Sequence, residues 1–180
     1  YNSMPAGIYP YTATDLNDCM ISDIITITQP DSLYVAYTLT HFNGYNVSCF
    51  GDTNATIDVQ INGGISPFTH YFDGFIINNN PIVNLGAGTY TNSIIDNNGC
   101  VLTEDITLTE PASINSMLST INISCNGACD ATINTQTNGG ITPYSYLWNN
   151  TSISGNIDSL CVGNYILEIT DNNNCTITDS

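Results

Sequence analysis

Seven cysteines, sixteen carboxylates and two histidines carry most of the chemistry available to this 180-residue chain. The cysteines recur at matching intervals. Cys49 and Cys100 are 51 residues apart, Cys125 and Cys175 are 50 apart, and Cys129 and Cys161 lie inside the second interval. Thiols so placed read as cross-links. The spacing pairs Cys49 with Cys100, Cys125 with Cys175 and Cys129 with Cys161, leaving Cys19 for a cysteine before Tyr1. Free thiols or a metal site are the alternatives, although no Cys-x-x-Cys pair with histidines outlines a zinc cage.

Three Asp/Asn-rich turns, 15–18, 96–99 and 171–174, stand immediately before Cys19, Cys100 and Cys175. Asx side chains cap tight turns and tolerate positive φ, which needs no ligand. The same oxygens at Asp15, Asp18, Asp96 and Asp171 also suit Ca²⁺, a hard cation that takes several oxygen donors; no cofactor is expected, with Ca²⁺ at these turns as the alternative. The spacing of an EF-hand loop, with its closing glutamate, is absent. Catalysis finds little to work with. His41 and His70 are the only histidines, nothing marks a nucleophile beside them, and a carboxylate pair drawn from sixteen is no signal. The chain is read as a non-enzyme with no catalytic residues.

Composition narrows the partners. Lys and Arg are absent, and the formal net charge is −16. Such a chain cannot neutralise phosphates, which excludes nucleic acid and anionic lipid surfaces, and it cannot clamp a nucleotide. No apolar run approaches the ~18–20 residues of a membrane span, so membrane insertion is not expected. Seven cysteines in so short a chain point to an oxidising, extracellular setting and to a segment of a longer secreted protein.

The elements that position these residues come from an internal repeat. Asn62-Gly63-Gly64-Ile65-Ser66-Pro67-Phe68 returns as Asn138-Gly139-Gly140-Ile141-Thr142-Pro143-Tyr144, 76 residues later. Val47-Ser48-Cys49-Phe50-Gly51 returns at the same offset as Ile123-Ser124-Cys125-Asn126-Gly127. Ala6-Gly7-Ile8-Tyr9, Ala87-Gly88-Thr89-Tyr90 and Val162-Gly163-Asn164-Tyr165 form a third block, each ten residues before a cysteine. The blocks divide the chain into the end of one unit (1–30), a whole unit (31–111) and a third unit (112–180) cut before its last strand. The joint falls near Pro111–Ser113, because a proline cannot donate to a ladder and marks a strand's end.

Within a unit the period is two: Ile57, Val59 and Ile61 alternate with Asp58 and Gln60. Gly, Asn, Asp and Pro interrupt such runs every 8–12 residues. The fold class is all-β, a tandem of cross-linked sandwiches of seven or so strands each. Tyr144, Tyr146 and Trp148 share one strand face, as do Phe68, His70 and Phe72, either as core or as an exposed platform for sugars. Leu85…Gly88-x-Tyr90 and Leu160…Gly163-x-Tyr165 read as tyrosine corners, the hydroxyl bonding backbone.

These blocks resemble the SprB-type repeat of very large cell-surface adhesins in Bacteroidota, including gliding-motility adhesins. The resemblance rests on Ser48-Cys49-x-Gly51, Gly63-Gly64-x-x-Pro67-Phe68, Ala87-Gly88-Thr89-Tyr90 and Asp96-Asn97-Asn98-Gly99-Cys100, and on their fuller third-unit counterparts from Ser124 to Asp171. Phe72 stands where the third unit has Trp148, and the second unit lacks an inner cysteine pair. The resemblance implies an Ig-like or PKD-like sandwich, type IX secretion and a cell-surface role, and it brings no catalytic residues. Asp31-Ser32-Leu33 and Asp158-Ser159-Leu160 resemble an Asp-Ser/Thr-hydrophobic O-glycosylation pattern, with Ser32 and Ser159 as acceptors. The function expected is a stalk or fibre segment whose partners are the neighbouring repeats, further copies in a fibre, or a surface polysaccharide. A polysaccharide-binding module and an accessory domain of a secreted hydrolase are the alternatives.

Overall fold

The computed structural model describes residues 3–180, and every regular element among them is a β-strand. The first unit contributes an antiparallel hairpin of β1 (Gly7–Thr14) and β2 (Met20–Ile27). The second contributes β3 (Tyr34–Leu39), β4 (Ala55–Asn62), β5 (Thr69–Phe72), β6 (Phe75–Ile76), β7 (Ile82–Leu85), β8 (Gly88–Ile95) and β9 (Val101–Leu108). These seven strands make two antiparallel sheets, β3-β4-β7 and β6-β5-β8-β9. The third contributes β10 (Asn115–Ile121), β11 (Ala131–Asn138), β12 (Ser145–Trp148), β13 (Ile157–Leu160), β14 (Leu167–Thr170) and β15 (Thr176–Asp179), in sheets β10-β11-β13 and β12-β14-β15.

The two sheet pairs repeat each other in order and register. Ala55 faces Leu85 and Ile57 faces Ile82; Ala131 faces Leu160 and Ile133 faces Ile157, with the same irregularity between the two pairs. Period-two alternation places Ile57 and Val59 inward, where they meet Phe72, Ile82, Ile106 and Leu108 in one core. Ile133, Ile157, Leu160, Leu167, Ile169 and Trp148 form a second, separate core. The array is an all-β tandem of sandwiches.

The third unit departs from expectation at its end. It is not cut before its last strand: β15 pairs with β14 as β9 pairs with β8, although it runs four residues where β9 runs eight. A cleft of about 820 Å³ lies against Leu118, Ile123, Ile133, Leu160 and Tyr165. Their second-unit counterparts, Tyr37, Val47, Ile57, Leu85 and Tyr90, surround Ile106 and Leu108 on the second half of β9. The cleft lies where the second unit places Ile106 and Leu108 of its own last strand.

The tyrosine corners are formed. Tyr90 donates its hydroxyl to the Gly86 carbonyl at 3.1 Å and Tyr165 to the Cys161 carbonyl at 3.1 Å. Tyr9 does the same to Pro5 at 2.8 Å, so the first-unit hairpin carries the motif as well.

Candidate functional site

The cysteines come together in a different pattern from the one their spacing predicts. Cys129 is joined to Cys161, the expected inner pair. Cys49, however, is joined to Cys175 across the two units, with Cα atoms 5.7 Å apart and 126 residues of chain between them. Cys49 is not joined to Cys100, nor Cys125 to Cys175; Cys19, Cys100 and Cys125 are exposed thiols.

The reason is the length of a strand. Asn46 and Val47 both donate backbone N–H to the Thr109 carbonyl, at 2.9 and 3.1 Å, and Gly51 N–H reaches Glu110 Oε2 at 2.6 Å. The Cys49 loop is thereby tied to the far end of β9. Cys100 precedes β9, so the eight-residue strand, ~26 Å of extended chain, separates the two thiols. A disulfide tolerates a Cα separation of at most ~7 Å. The two cysteines sit at opposite poles of one sandwich, and the bridge that can form joins the end of one unit to the start of the next.

The receiving pole is built by the Asp turn. Asp171 Oδ1 accepts the N–H groups of Asn173 and Cys175 at 2.8 and 2.9 Å, and its Oδ2 accepts that of Ile141 at 2.8 Å. Asn172 donates to the Ile141 carbonyl, and Gly140 donates to Ala112 in the joint between the units. A Cβ at Gly139 would run into the carbonyl of Ser113, so this turn closes on the incoming chain only with glycine there. Asn173 then reaches across: its Nδ2 donates to the Ser48 carbonyl at 2.9 Å, and its Oδ1 accepts from Asn43. Pro111 is fully buried in the joint.

Asp96 repeats this cradle in the second unit, taking Asn98 and Cys100 N–H groups at 2.8 Å each and Ile65 N–H at 3.0 Å. These bonds, the one from Cys100 foremost, hold the buried Asp96 carboxyl below its usual range. The Asp96 carboxylate in turn pushes the Cys100 thiol above its usual range. Asp15 accepts from Asn17 and Cys19 at 2.8 and 3.0 Å. Asp18, Gly99 and Asn174 occupy one equivalent position, with φ of 61°, 81° and 64°, which accounts for the Asx/Gly composition there.

The oxygens of Asp96 and Asp171 accept N–H groups of the turn, the capping role that needs no ligand. Among the described residues no group of three or more His, Cys, Asp or Glu side chains is placed to hold a metal. Asp15 and Asp18 belong to a turn of the same kind.

The remaining candidates are structural. Trp148 is buried and its Nε1 donates to the Ser154 carbonyl at 2.9 Å; Tyr146 bonds Thr137 and Tyr144 bonds the Gly139 carbonyl. Phe72 is buried against Tyr90, ring centroids 5.2 Å apart. The rings of Phe72, Tyr144, Tyr146 and Trp148 pack in or against the cores, which is the first of the two readings of these strands. His70 bonds Asn92, which is buried and donates to the Tyr37 hydroxyl at 3.0 Å; Tyr37 donates to Glu104 at 3.0 Å. Burial, then the Glu104 bond, pushes the Tyr37 pKa up to about 12. This run of hydrogen bonds ends on the Glu104 carboxylate. His41 accepts from Gly44 N–H on an exposed loop. Ser32 and Ser159 are exposed, as glycosylation acceptors must be.

The SprB repeat family model covers residues 45–71 and 118–152. The chain matches the SprB repeat twice. Each matched stretch contains the Ser-Cys-x-Gly loop of one pole, the inward-facing strand after it and the Gly-Gly turn of the opposite pole. The Asp turns with Cys100 and Cys175 lie outside both matches. No curated protein matches the chain.

Proposed function

We propose that this chain is a load-bearing segment of a stalk: consecutive SprB-type sandwiches that hold a distal binding region away from a cell surface, with no catalysis of their own. The observation that carries the reading is the Cys49–Cys175 bridge, which ties two successive units at their joint. A bond placed there contributes nothing to a binding cleft inside either unit and resists separation along the chain. The disulfides fit an oxidising compartment outside the cytosol, and the family match fits a surface adhesin. Export by the type IX route and service in gliding motility rest on that resemblance alone.

Small-angle scattering and a glycan panel test the reading together. Two sandwiches in series give a radius of gyration well above the ~16 Å of a compact 180-residue globule. The glycan panel should remain blank for the same preparation. A globular radius overturns the stalk, and saturable binding to one polysaccharide replaces it with a binding module.

A further inference from the structure

Three thiols are left exposed by the two bridges, and all three sit in half-sites that the Cys49–Cys175 bridge shows in completed form. Cys125 heads a loop like that of Cys49. Ser124 N–H bonds Asp130 as Ser48 N–H bonds Asn54, at 3.0 and 3.2 Å. Ala128 N–H closes on the Cys125 carbonyl as Asp52 N–H closes on that of Cys49, at 3.0 and 3.1 Å. Gly127 and Gly51 turn the two loops at φ of 84° and 79°.

Cys100 lies in a turn built like the one that holds Cys175. Gly64 donates to Asp31 and Gly140 to Ala112, at 2.9 and 2.8 Å; Asn97 donates to Ile65 and Asn172 to Ile141, at 2.8 Å each. Asn98 occupies the position of Asn173, the residue that reaches across the joint. A Cβ at Gly63 would meet the Ser32 carbonyl just as one at Gly139 meets that of Ser113. The second unit thus presents at its upstream pole the surface by which the third unit receives Cys49.

We propose that the Cys49–Cys175 bridge is one rung of a ladder. In it, Cys125 bonds the Asp-turn cysteine of a following repeat, and Cys100 bonds the Ser-Cys-x-Gly cysteine of a preceding one. Cys19, in the Asp turn of the first unit, bonds one repeat further upstream. This rests on the array reading, since it requires flanking repeats. Each rung forms by exchange with a disulfide oxidant: two cysteine thiols become one disulfide, and the oxidant is reduced to two thiols. The partner surface is a second repeat of the same kind, recognised by the Asn98 side chain and the Asp96 turn on one side and the Ser124–Gly127 loop on the other.

The ladder has a mechanical consequence. Each rung bypasses 126 residues, and the backbone joining an Asp-turn cysteine to the next loop cysteine, as from Cys100 to Cys125, is 25 residues. A pulled array with intact rungs can therefore extend only to roughly one-sixth of its free contour length at ~3.4 Å per residue.

The test is disulfide mapping of the protein purified from its native source. Free thiols are blocked with iodoacetamide before any reduction, and chymotrypsin or an Asp-cleaving protease replaces trypsin, which has no Lys or Arg to cut. The expected result is that Cys100 and Cys125 carry no blocking label, and that each is recovered bonded to a peptide foreign to these 180 residues. Label on both, a Cys100–Cys125 bond or a Cys49–Cys100 bond overturns the ladder. Further SprB-type peptides recovered unbonded would sink the ladder and leave the array standing; a chain without further repeats would sink both.

Discussion

Replacing Cys49 and Cys175 together by serine should loosen both units at once. The double substitution removes the bridge without leaving a reactive thiol, and it keeps the Asn173–Ser48 and Asn173–Asn43 contacts. When the third unit melts beside a folded second unit, the bridge closes a loop of ~64 residues from the joint to Cys175. When the second melts beside a folded third, the loop from Cys49 to the joint is again ~64 residues. The chain-entropy model gives about 4 kcal/mol for either loop. At ~4–8 °C per kcal/mol for a unit of this size, each calorimetric transition should fall by ~15–30 °C. A bridge confined to one unit would have no such symmetry. The assay is calorimetry of these 180 residues alone under non-oxidising, non-reducing conditions, where Cys100 is a free thiol and Cys100→Ser is the control that leaves both transitions in place. A fall in only one transition, or an equal fall in the Cys100→Ser control, would refute the inter-unit bridge.

Four further outcomes follow from the same geometry. Pulled by its ends, the oxidised chain should gain ~43 nm of contour length when reductant opens the Cys49–Cys175 bridge and releases 126 residues; no change in single-molecule extension would count against it. Thr135→Val should raise the third unit's stability by ~1 kcal/mol in urea unfolding, because the Thr135 hydroxyl is buried without a partner and Val59 fills the equivalent place. Gly139→Ala should lower it by at least ~2 kcal/mol, through the collision with Ser113 and a φ of 76°. The Asp96 carboxyl is held below its unfolded value, so its contribution is complete above about pH 4 and lost as pH falls through the lowered value; Asp96→Asn should lower the melting temperature at pH 7 and flatten its fall below pH 4.

Much of the fold was legible because β-structure writes itself in a period of two. Ile57, Val59 and Ile61 announced β4, the Gly88-x-Tyr90 and Gly163-x-Tyr165 blocks announced corners that are present, and the repeat offset placed Cys125 where Cys49 sits. The bridge partner was not legible from spacing. Cys49–Cys100 and Cys125–Cys175 have nearly equal separations, and that equality follows from the repeat whether the bonds lie within units or between them. What separates the cases is which end of β9 the Cys49 loop meets, and that depends on Asn46 and Val47 bonding Thr109. The signal was present in a weaker form: Cys100 stands directly before an eight-residue strand, so anything bound to the strand's far end lies too distant for a disulfide. The Asp turns read as Asx caps, and their oxygens do take N–H groups of the turn; that Asp96 and Asp171 also reach the Ile65 and Ile141 N–H groups is not legible from the local sequence. Thr176–Asp179 is a short alternation, too brief to announce β15.

The chemistry of the joint follows from what the chain lacks. The two cores share no residue, so little hydrophobic burial couples one unit to the next. The joint has no Lys or Arg for an ion pair, and Asp52 and Asp171, on either side of it, carry charge of one sign. Neutral Asn43 and Asn173 supply what polar contact there is, and such bonds contribute only ~0.5–1.5 kcal/mol each. A covalent bond is indifferent to charge, ionic strength and pH in the ranges that weaken those contacts. Placed between a loop anchored at the end of one sandwich and a turn anchored at the start of the next, it couples two separately folded bodies. That coupling would otherwise require a larger interface or opposite charges. A chain without Lys or Arg thus carries a disulfide where two of its units meet.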